Sequence, residues 1–146
     1  MSAIRHVEVI LYYKPLCPFC AMLKKELRRM LSDKMFGLSS RVSYIEHELI
    51  HTALHWNPFA RMSEEEKIHV IDLRGKKPEV ISGRGLEEYA HLHVEVPILE
   101  VRVYTNTSMD KFVFTGFIPP TRKDFKERLE NFRVNLVTLL RVLSRR

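Results

Sequence analysis

Cysteine is scarce in this chain of 146 residues, which contains only two of them. Small secreted proteins held together by disulfide bonds carry more cysteines, so that class is excluded. The two residues, Cys17 and Cys20, stand close together in the sequence. In a reducing cytosol such a pair is typical of a redox motif or of half a metal site rather than of a structural disulfide.

The sequence also lacks long apolar runs, repeats, low-complexity tracts and linkers. Its longest apolar run is too short to span a bilayer, and no signal-peptide h-region precedes the first predicted strand. We therefore expect a cytoplasmic chain that has no membrane partner. The length fits a single domain over residues 1–146, with an expanded middle segment at 49–95.

Charge is unevenly distributed in a chain whose total is +6. Residues 1–45 carry a net +5, residues 46–100 a net −5 and residues 101–146 a net +6. A basic total is compatible with nucleic-acid binding. The basic residues, however, lie on the polar faces of predicted amphipathic helices, and aromatic residues are not interleaved with them. We therefore predict no nucleic-acid partner.

A strand, a helix and a second strand are predicted at the start of the chain. Alternating apolar residues indicate a strand over Val7–Tyr13. Proline suits the first position of a helix, so a helix should open at Cys17-Pro18. Its apolar stripe comprises Cys20, Leu23, Leu27, Met30 and Leu31. A strand over about Arg41–Glu48 completes a βαβ unit with parallel strands.

The end of the chain predicts an antiparallel hairpin followed by a long helix. Its strands are Val96–Tyr104 and Lys111–Phe117, and the helix follows Pro119-Pro120-Thr121. The apolar face of this helix comprises Phe125, Leu129, Phe132, Leu136, Leu139, Leu140 and Leu143.

The middle segment, by contrast, has a mixed pattern. Ile68–Leu73 and Val80-Ile81 have strand character, whereas Leu49–Trp56, Ser63–Glu66 and Leu86–Leu92 favour short helices.

Tyr13–Cys20 has the sequence Tyr-Lys-Pro-Leu-Cys-Pro-Phe-Cys and lies at the first strand-to-helix junction. With Val96-Pro97 at the start of the hairpin and Gly116 at its end, it resembles the glutaredoxins of the thioredoxin-fold superfamily. The resemblance covers roughly residues 6–48 and 96–142. It implies an α/β, thioredoxin-like fold: a four-stranded mixed sheet, built from the βαβ unit and a C-terminal ββα unit, with helices on both faces.

The two cysteines are expected to have different roles in a thiol–disulfide oxidoreductase. Cys17 lies at a helix N-terminus, where free N–H groups and the helix dipole favour its thiolate. Cys20 lies one turn further on, on the apolar stripe, and should be buried. We therefore predict that Cys17 attacks a substrate disulfide and that Cys20 resolves the mixed disulfide, with Pro18 and Phe19 completing the motif.

The resemblance also implies how substrates bind. Lys14 corresponds to a lysine that pairs with a glutathione carboxylate in glutaredoxins. Val96 and Pro97 correspond to the family's cis-proline site, whose backbone pairs with a substrate strand. Tyr13 and Phe19 could supply apolar contact. The implied substrates are protein disulfides or glutathione mixed disulfides, with no cofactor and with glutathione or a thioredoxin reductase as the source of electrons.

Two alternatives of other classes use the same residues. Cys17 and Cys20 could form a Cys₂His₂ zinc site with two of His47, His51 and His55, or Cys17 could hold an iron–sulfur cluster between two chains. However, 26 residues separate Cys20 from His47, and a parallel second strand should carry His47 away from the helix start. A third alternative is a thioredoxin-fold interaction module that binds a partner through its middle segment.

Overall fold

A mixed β-sheet and two helices make up the part of the chain that the structure, a computed structural model, describes. That part comprises residues 4–32, 42–48, 67–74, 79–82, 97–117 and 124–144. In chain order the elements are β1 (Ile4–Tyr13), α1 (Pro18–Ser32), β2 (Val42–Glu48), β3 (Lys67–Asp72), β4 (Glu79–Ser82), β5 (Ile98–Thr105), β6 (Met109–Thr115) and α2 (Phe125–Ser144).

The sheet has the strand order β2-β1-β5-β6-β3-β4. β1 pairs with β2 in parallel and with β5 antiparallel, and β5 pairs with β6 antiparallel. These four strands, with α1 between β1 and β2 and α2 after β6, have the predicted thioredoxin-like topology. The α/β, thioredoxin-like fold class is confirmed, whereas the prediction of helices on both faces of the sheet is not tested by the described residues.

The predicted number of strands was too low, because the sheet has six strands rather than four. The two additional strands come from the middle segment. β3 pairs in parallel with β6, and β4 pairs antiparallel with β3. Both were predicted as strands near these positions, but their place in the sheet was not. The helices predicted at Leu49–Trp56, Ser63–Glu66 and Leu86–Leu92 lie outside the described residues.

Both described helices pack on one face of the sheet. Leu23 and Leu27 of α1 lie in the same buried cluster as Val9 of β1. Phe132 of α2 meets Phe114 of β6 edge to face, with ring centroids 4.9 Å apart. The helices also meet each other near the start of α1. The predicted apolar stripes of the two helices therefore pack into one core. Removing these side chains from water stabilises the fold.

A buried carboxylate lies on the opposite face of the sheet. Glu100 of β5 is only 1% exposed. It accepts a 2.9 Å hydrogen bond from the Tyr12 hydroxyl, and the Lys111 ammonium lies 2.7 Å from it. The Arg102 guanidinium lies 3.3 Å from Glu100 and 3.5 Å from Glu8. Buried charges need such partners, because an unpaired charge in an apolar environment is strongly disfavoured.

An ion pair joins α1 to the strand that follows it. The guanidinium of Arg28 donates two hydrogen bonds to Glu46 of β2, which also accepts one from the Tyr44 hydroxyl. Burial acts to raise the pKa of Glu46, but these donors outweigh it and the pKa is lowered. The pair links α1 to β2 near the surface, where such pairs contribute little to stability.

No helix among the described residues is long and apolar enough to cross a membrane.

Candidate active site

Cys17 caps the N-terminus of α1. Its carbonyl oxygen accepts a 3.1 Å hydrogen bond from the Ala21 N–H, so α1 begins immediately after it. Its Sγ accepts a 3.2 Å hydrogen bond from the backbone N–H of Cys20. This is the geometry of an N-cap residue, with sulfur in place of the usual side-chain oxygen. Pro18 fits the next position because its missing N–H would have no partner there.

The Cys17 sulfur lies at the N-terminal end of α1 and is directed at a backbone donor. The Cys20 N–H donates to this atom, and the positive end of the α1 dipole lies beside it. The residue is only partly buried. A partly exposed cysteine at a helix N-terminus is the usual position of a nucleophilic cysteine.

Cys20 has a contrasting environment. It is 1% exposed. Burial, a hydrogen bond with Cys17 and the negative charge of Cys17 raise the pKa of the Cys20 thiol to about 12. Cys20 is therefore a protonated thiol near neutral pH.

Two lysines lie near the cysteine pair. The Lys14 backbone forms a hydrogen bond with Cys20, and the charge of Lys24 also acts to lower the pKa of Cys20. Lys24 Nζ lies 3.4 Å from the centroid of the Tyr13 ring, a cation–π contact. Lys24 lies one turn beyond Cys20 on α1. Its spacing of one turn from Cys20 was the signal that it faces the site.

The end of β1, the start of β5 and the end of β6 meet at one edge of the sheet. Tyr12 near the end of β1 pairs with Ile98 at the start of β5, so Pro97 lies beside the end of β1. Leu99 pairs with Phe114, which brings the end of β6 to this edge as well. Pro97 is buried. Val96 and the Val96–Pro97 peptide bond lie outside the described residues, so the cis form remains a prediction.

Gly116 immediately follows β6, which ends at Thr115, two residues before the predicted end of the strand at Phe117. It adopts a φ of +78°, which only glycine accepts readily. Its carbonyl oxygen accepts a 2.8 Å hydrogen bond from Arg128 of α2. A Cβ atom here would lie 2.6 Å from Asp72 Oδ1. The absence of a side chain thus lets the end of β3 approach the end of β6.

Replacing Gly116 with Ala should lower the free energy of unfolding by roughly 1–3 kcal/mol, because the substitution adds both backbone strain and a contact with Asp72. Urea unfolding would measure this. Gly116→Asn is the matched variant, since Asn tolerates positive φ better but carries the same Cβ. A Gly116→Ala protein as stable as the wild type would contradict the role given to this glycine.

Phe19, predicted to supply apolar contact, and His47, a ligand in the zinc alternative, both have other contacts. The Phe19 ring packs against Phe125 of α2, with centroids 5.3 Å apart, and so joins the start of α1 to the core. His47 meets Tyr12 edge to face at 5.5 Å. Tyr12 donates to Glu100 on the face opposite α1, so His47 is not brought to the cysteines. His51 and His55 lie outside the described residues.

Within the described ranges, no three His, Cys, Asp or Glu side chains are grouped so that they could hold a metal ion.

No family model and no curated protein matches this chain. Among solved structures, it is similar to a thioredoxin-fold protein from Helicobacter pylori, with 15% identity and a TM-score of 0.39. That similarity covers 96% of this chain and 87% of the other.

Proposed function

We propose that this protein is a glutaredoxin-like thiol–disulfide oxidoreductase in which Cys17 is the nucleophile and Cys20 the resolving cysteine. The observation that carries the proposal is the asymmetry of the pair. The Cys17 sulfur is accessible and accepts the Cys20 N–H, whereas the Cys20 thiol is buried with a raised pKa. The thioredoxin-like topology supports the proposal because both residues lie at the start of α1, the helix that directly follows β1.

In the first step the Cys17 thiolate attacks one sulfur of a substrate disulfide. The substrate S–S bond breaks, and a mixed disulfide forms between Cys17 and that half of the substrate. The other half leaves as a thiolate and takes a proton from solvent. The contrast in burial selects Cys17 for this step, because an incoming disulfide cannot reach a thiol that is 1% exposed.

In the second step Cys20 attacks the sulfur of Cys17. Its thiol must first lose a proton to solvent. Burial contributes most to its raised pKa, followed by the hydrogen bond with Cys17, and the charge of Cys17 contributes further. Forming the mixed disulfide removes the Cys17 charge and weakens that hydrogen bond, so Cys20 ionises more readily at the moment it is needed. The products are a Cys17–Cys20 disulfide and the second substrate thiol.

The substrate class comprises protein disulfides or glutathione mixed disulfides. They would bind beside Cys17, with Val96 and Pro97 offering a backbone edge, Tyr13 an apolar ring and Lys14 a positive charge for a glutathione carboxylate. The Cys17–Cys20 disulfide returns to the dithiol with two electrons from glutathione or a thioredoxin reductase. This exchange needs no cofactor bound by the chain, and we propose the cytoplasm as its location.

Reduction of a protein disulfide, assayed with glutathione and with a thioredoxin reductase system side by side, tests the proposal and identifies the reductant. In parallel, alkylation by iodoacetamide at pH 7 should label Cys17 at least about tenfold faster than Cys20, as accessibility and ionisation both favour Cys17. Peptide mass mapping over time would measure the two rates. Absence of reduction with both systems, or equal labelling of the two cysteines, would contradict the assignment.

A further inference from the structure

Leu16, immediately before Cys17, has an unusual backbone and an unusual position. Its φ is +62°, the left-handed region that residues with a Cβ rarely adopt. Among the described residues it is the one non-glycine residue with positive φ. Its side chain is fully exposed, at 102% of the reference accessibility. Glycine or asparagine would suit this backbone better, and a polar residue would suit water better, so packing within the described core does not explain the leucine.

The exposed leucine belongs to a larger apolar surface around the Cys17 sulfur. Pro15 and Leu16 are exposed before Cys17, and Pro18, Ala21 and Met22 are exposed after it. The last three share one face of α1, since they are spaced by three and four residues. We call these five residues the apolar rim. Grouped apolar exposure of this kind usually marks a surface that binds another molecule.

Positive charge lies at both ends of the apolar rim. Lys14 precedes it in the chain, and Lys25 is exposed one turn beyond Ala21 and Met22 on α1. A partner that covers the rim should therefore have apolar side chains in its centre and acidic ones at its border. A disulfide that reaches the Cys17 sulfur meets a surface whose preceding residue, Leu16, is fully exposed.

We propose that Leu16 determines substrate specificity, by selecting acidic polypeptides that carry an apolar side chain next to the disulfide over small polar disulfides. This inference rests on the proposed function and names the substrate class of the same site. Covering a fully exposed leucine is worth roughly ten- to a hundredfold in affinity. The left-handed backbone keeps the side chain directed away from the core, where a substrate can cover it.

The experiment compares two peptide disulfides that carry the same glutamates and differ only in a Leu or a Ser next to the cysteine. The wild type should reduce the Leu peptide at least about tenfold faster, in second-order rate constant, than the Ser peptide. Leu16→Asn, which keeps a residue that tolerates positive φ, should bring this ratio close to one. Val134→Asn, a matched change at an exposed valine of α2, should leave the ratio as in the wild type.

Two additional measurements separate selectivity from other effects. The rate of Cys17 alkylation in Leu16→Asn should match the wild type, which shows that the thiol itself is intact. A third peptide, with lysines in place of the glutamates, should react more slowly than the Leu peptide, and the difference should narrow as salt is added.

The outcomes distinguish the inference from the function on which it rests. If the wild type reduces both glutamate peptides equally, or if Leu16→Asn keeps the wild-type ratio, the inference is overturned and the oxidoreductase proposal stands. A faster reaction of the lysine peptide would overturn the acidic part of the specificity. If the wild type reduces none of the peptides and no protein disulfide, both proposals fail.

Discussion

Replacing Cys20 with Ser should stop the exchange at the mixed disulfide between Cys17 and its substrate. The first step needs only Cys17, which remains at the N-terminus of α1, whereas the second step needs a thiol that serine cannot supply. Turnover of a protein disulfide should fall at least about a hundredfold because the intermediate persists. Mass spectrometry under non-reducing conditions would detect a covalent adduct whose mass is that of the protein plus the attacked half of the substrate.

Cys17→Ser is the matched variant. It keeps a side-chain oxygen that can cap α1, so the helix should remain formed, but it removes the nucleophile. This protein should form no adduct and show no reduction. An adduct in Cys17→Ser, or full turnover in Cys20→Ser, would reverse or remove the assigned roles.

The second step should also respond to pH. Burial, the largest cause of the raised pKa of Cys20, persists in the mixed disulfide, so only a small fraction of its thiol is ionised at pH 7, and that fraction grows as pH rises. The decay of the wild-type mixed disulfide should therefore accelerate between pH 6 and pH 8. Rapid mixing with acid quench would follow the decay. A rate independent of pH over this range would show that deprotonation of Cys20 does not limit the step.

Replacing Glu100 with Gln should destabilise the protein by about 3 kcal/mol, the lower end of the range for removing one partner of a buried ion pair. The substitution keeps the shape and a hydrogen-bond acceptor for Tyr12, but leaves the charges of Arg102 and Lys111 without the buried carboxylate. The lower end applies because both cations keep some contact with water, with side chains 31% and 16% exposed. The urea midpoint should fall with little change in the slope of the transition.

Glu8→Gln is the control for this network. Glu8 contacts the same guanidinium, but at 3.5 Å and with a side chain 22% exposed, against 2% for Glu100. Glu8→Gln should lower the free energy of unfolding by less than about 1 kcal/mol, as for other partly exposed ion pairs. Equal effects of the two substitutions would show that burial of Glu100 is not what makes it important.

Features that depend on local periodicity could be predicted from the sequence. The alternation in β1 and the helical spacing of Leu23 and Leu27 each need only a few neighbouring residues to be visible. The start of α1 was also predictable, because Pro18 restricts the backbone in a way that depends on that residue alone. The burial of Cys20 follows from its place on the same stripe, and so do its predicted chemical differences from Cys17.

Features that depend on distant pairing could not be predicted. β3 has a strand pattern, but its place beside β6 depends on contacts such as Ile71 with Phe114, which lie far apart in the chain. The burial of Glu100 has the same origin, since its partners come from two other strands. Leu16 was missed for a different reason. Leucine carries no local signal for positive φ, so nothing in its residue type distinguishes it from an ordinary turn residue.

The central pairing of β1 with β5 has a consequence for how this fold tolerates its long middle segment. Tyr12 and Ile98 are adjacent in the sheet although most of the chain lies between them. The entropy lost in closing such a loop grows only with the logarithm of its length, so doubling the length costs about 0.6 kcal/mol. The middle segment can therefore be long at little thermodynamic cost, and part of that cost is offset by the pairing of β3 with β6. The effect is on the folding rate instead. The sheet depends on contacts between residues far apart in the chain, so the protein should fold slowly.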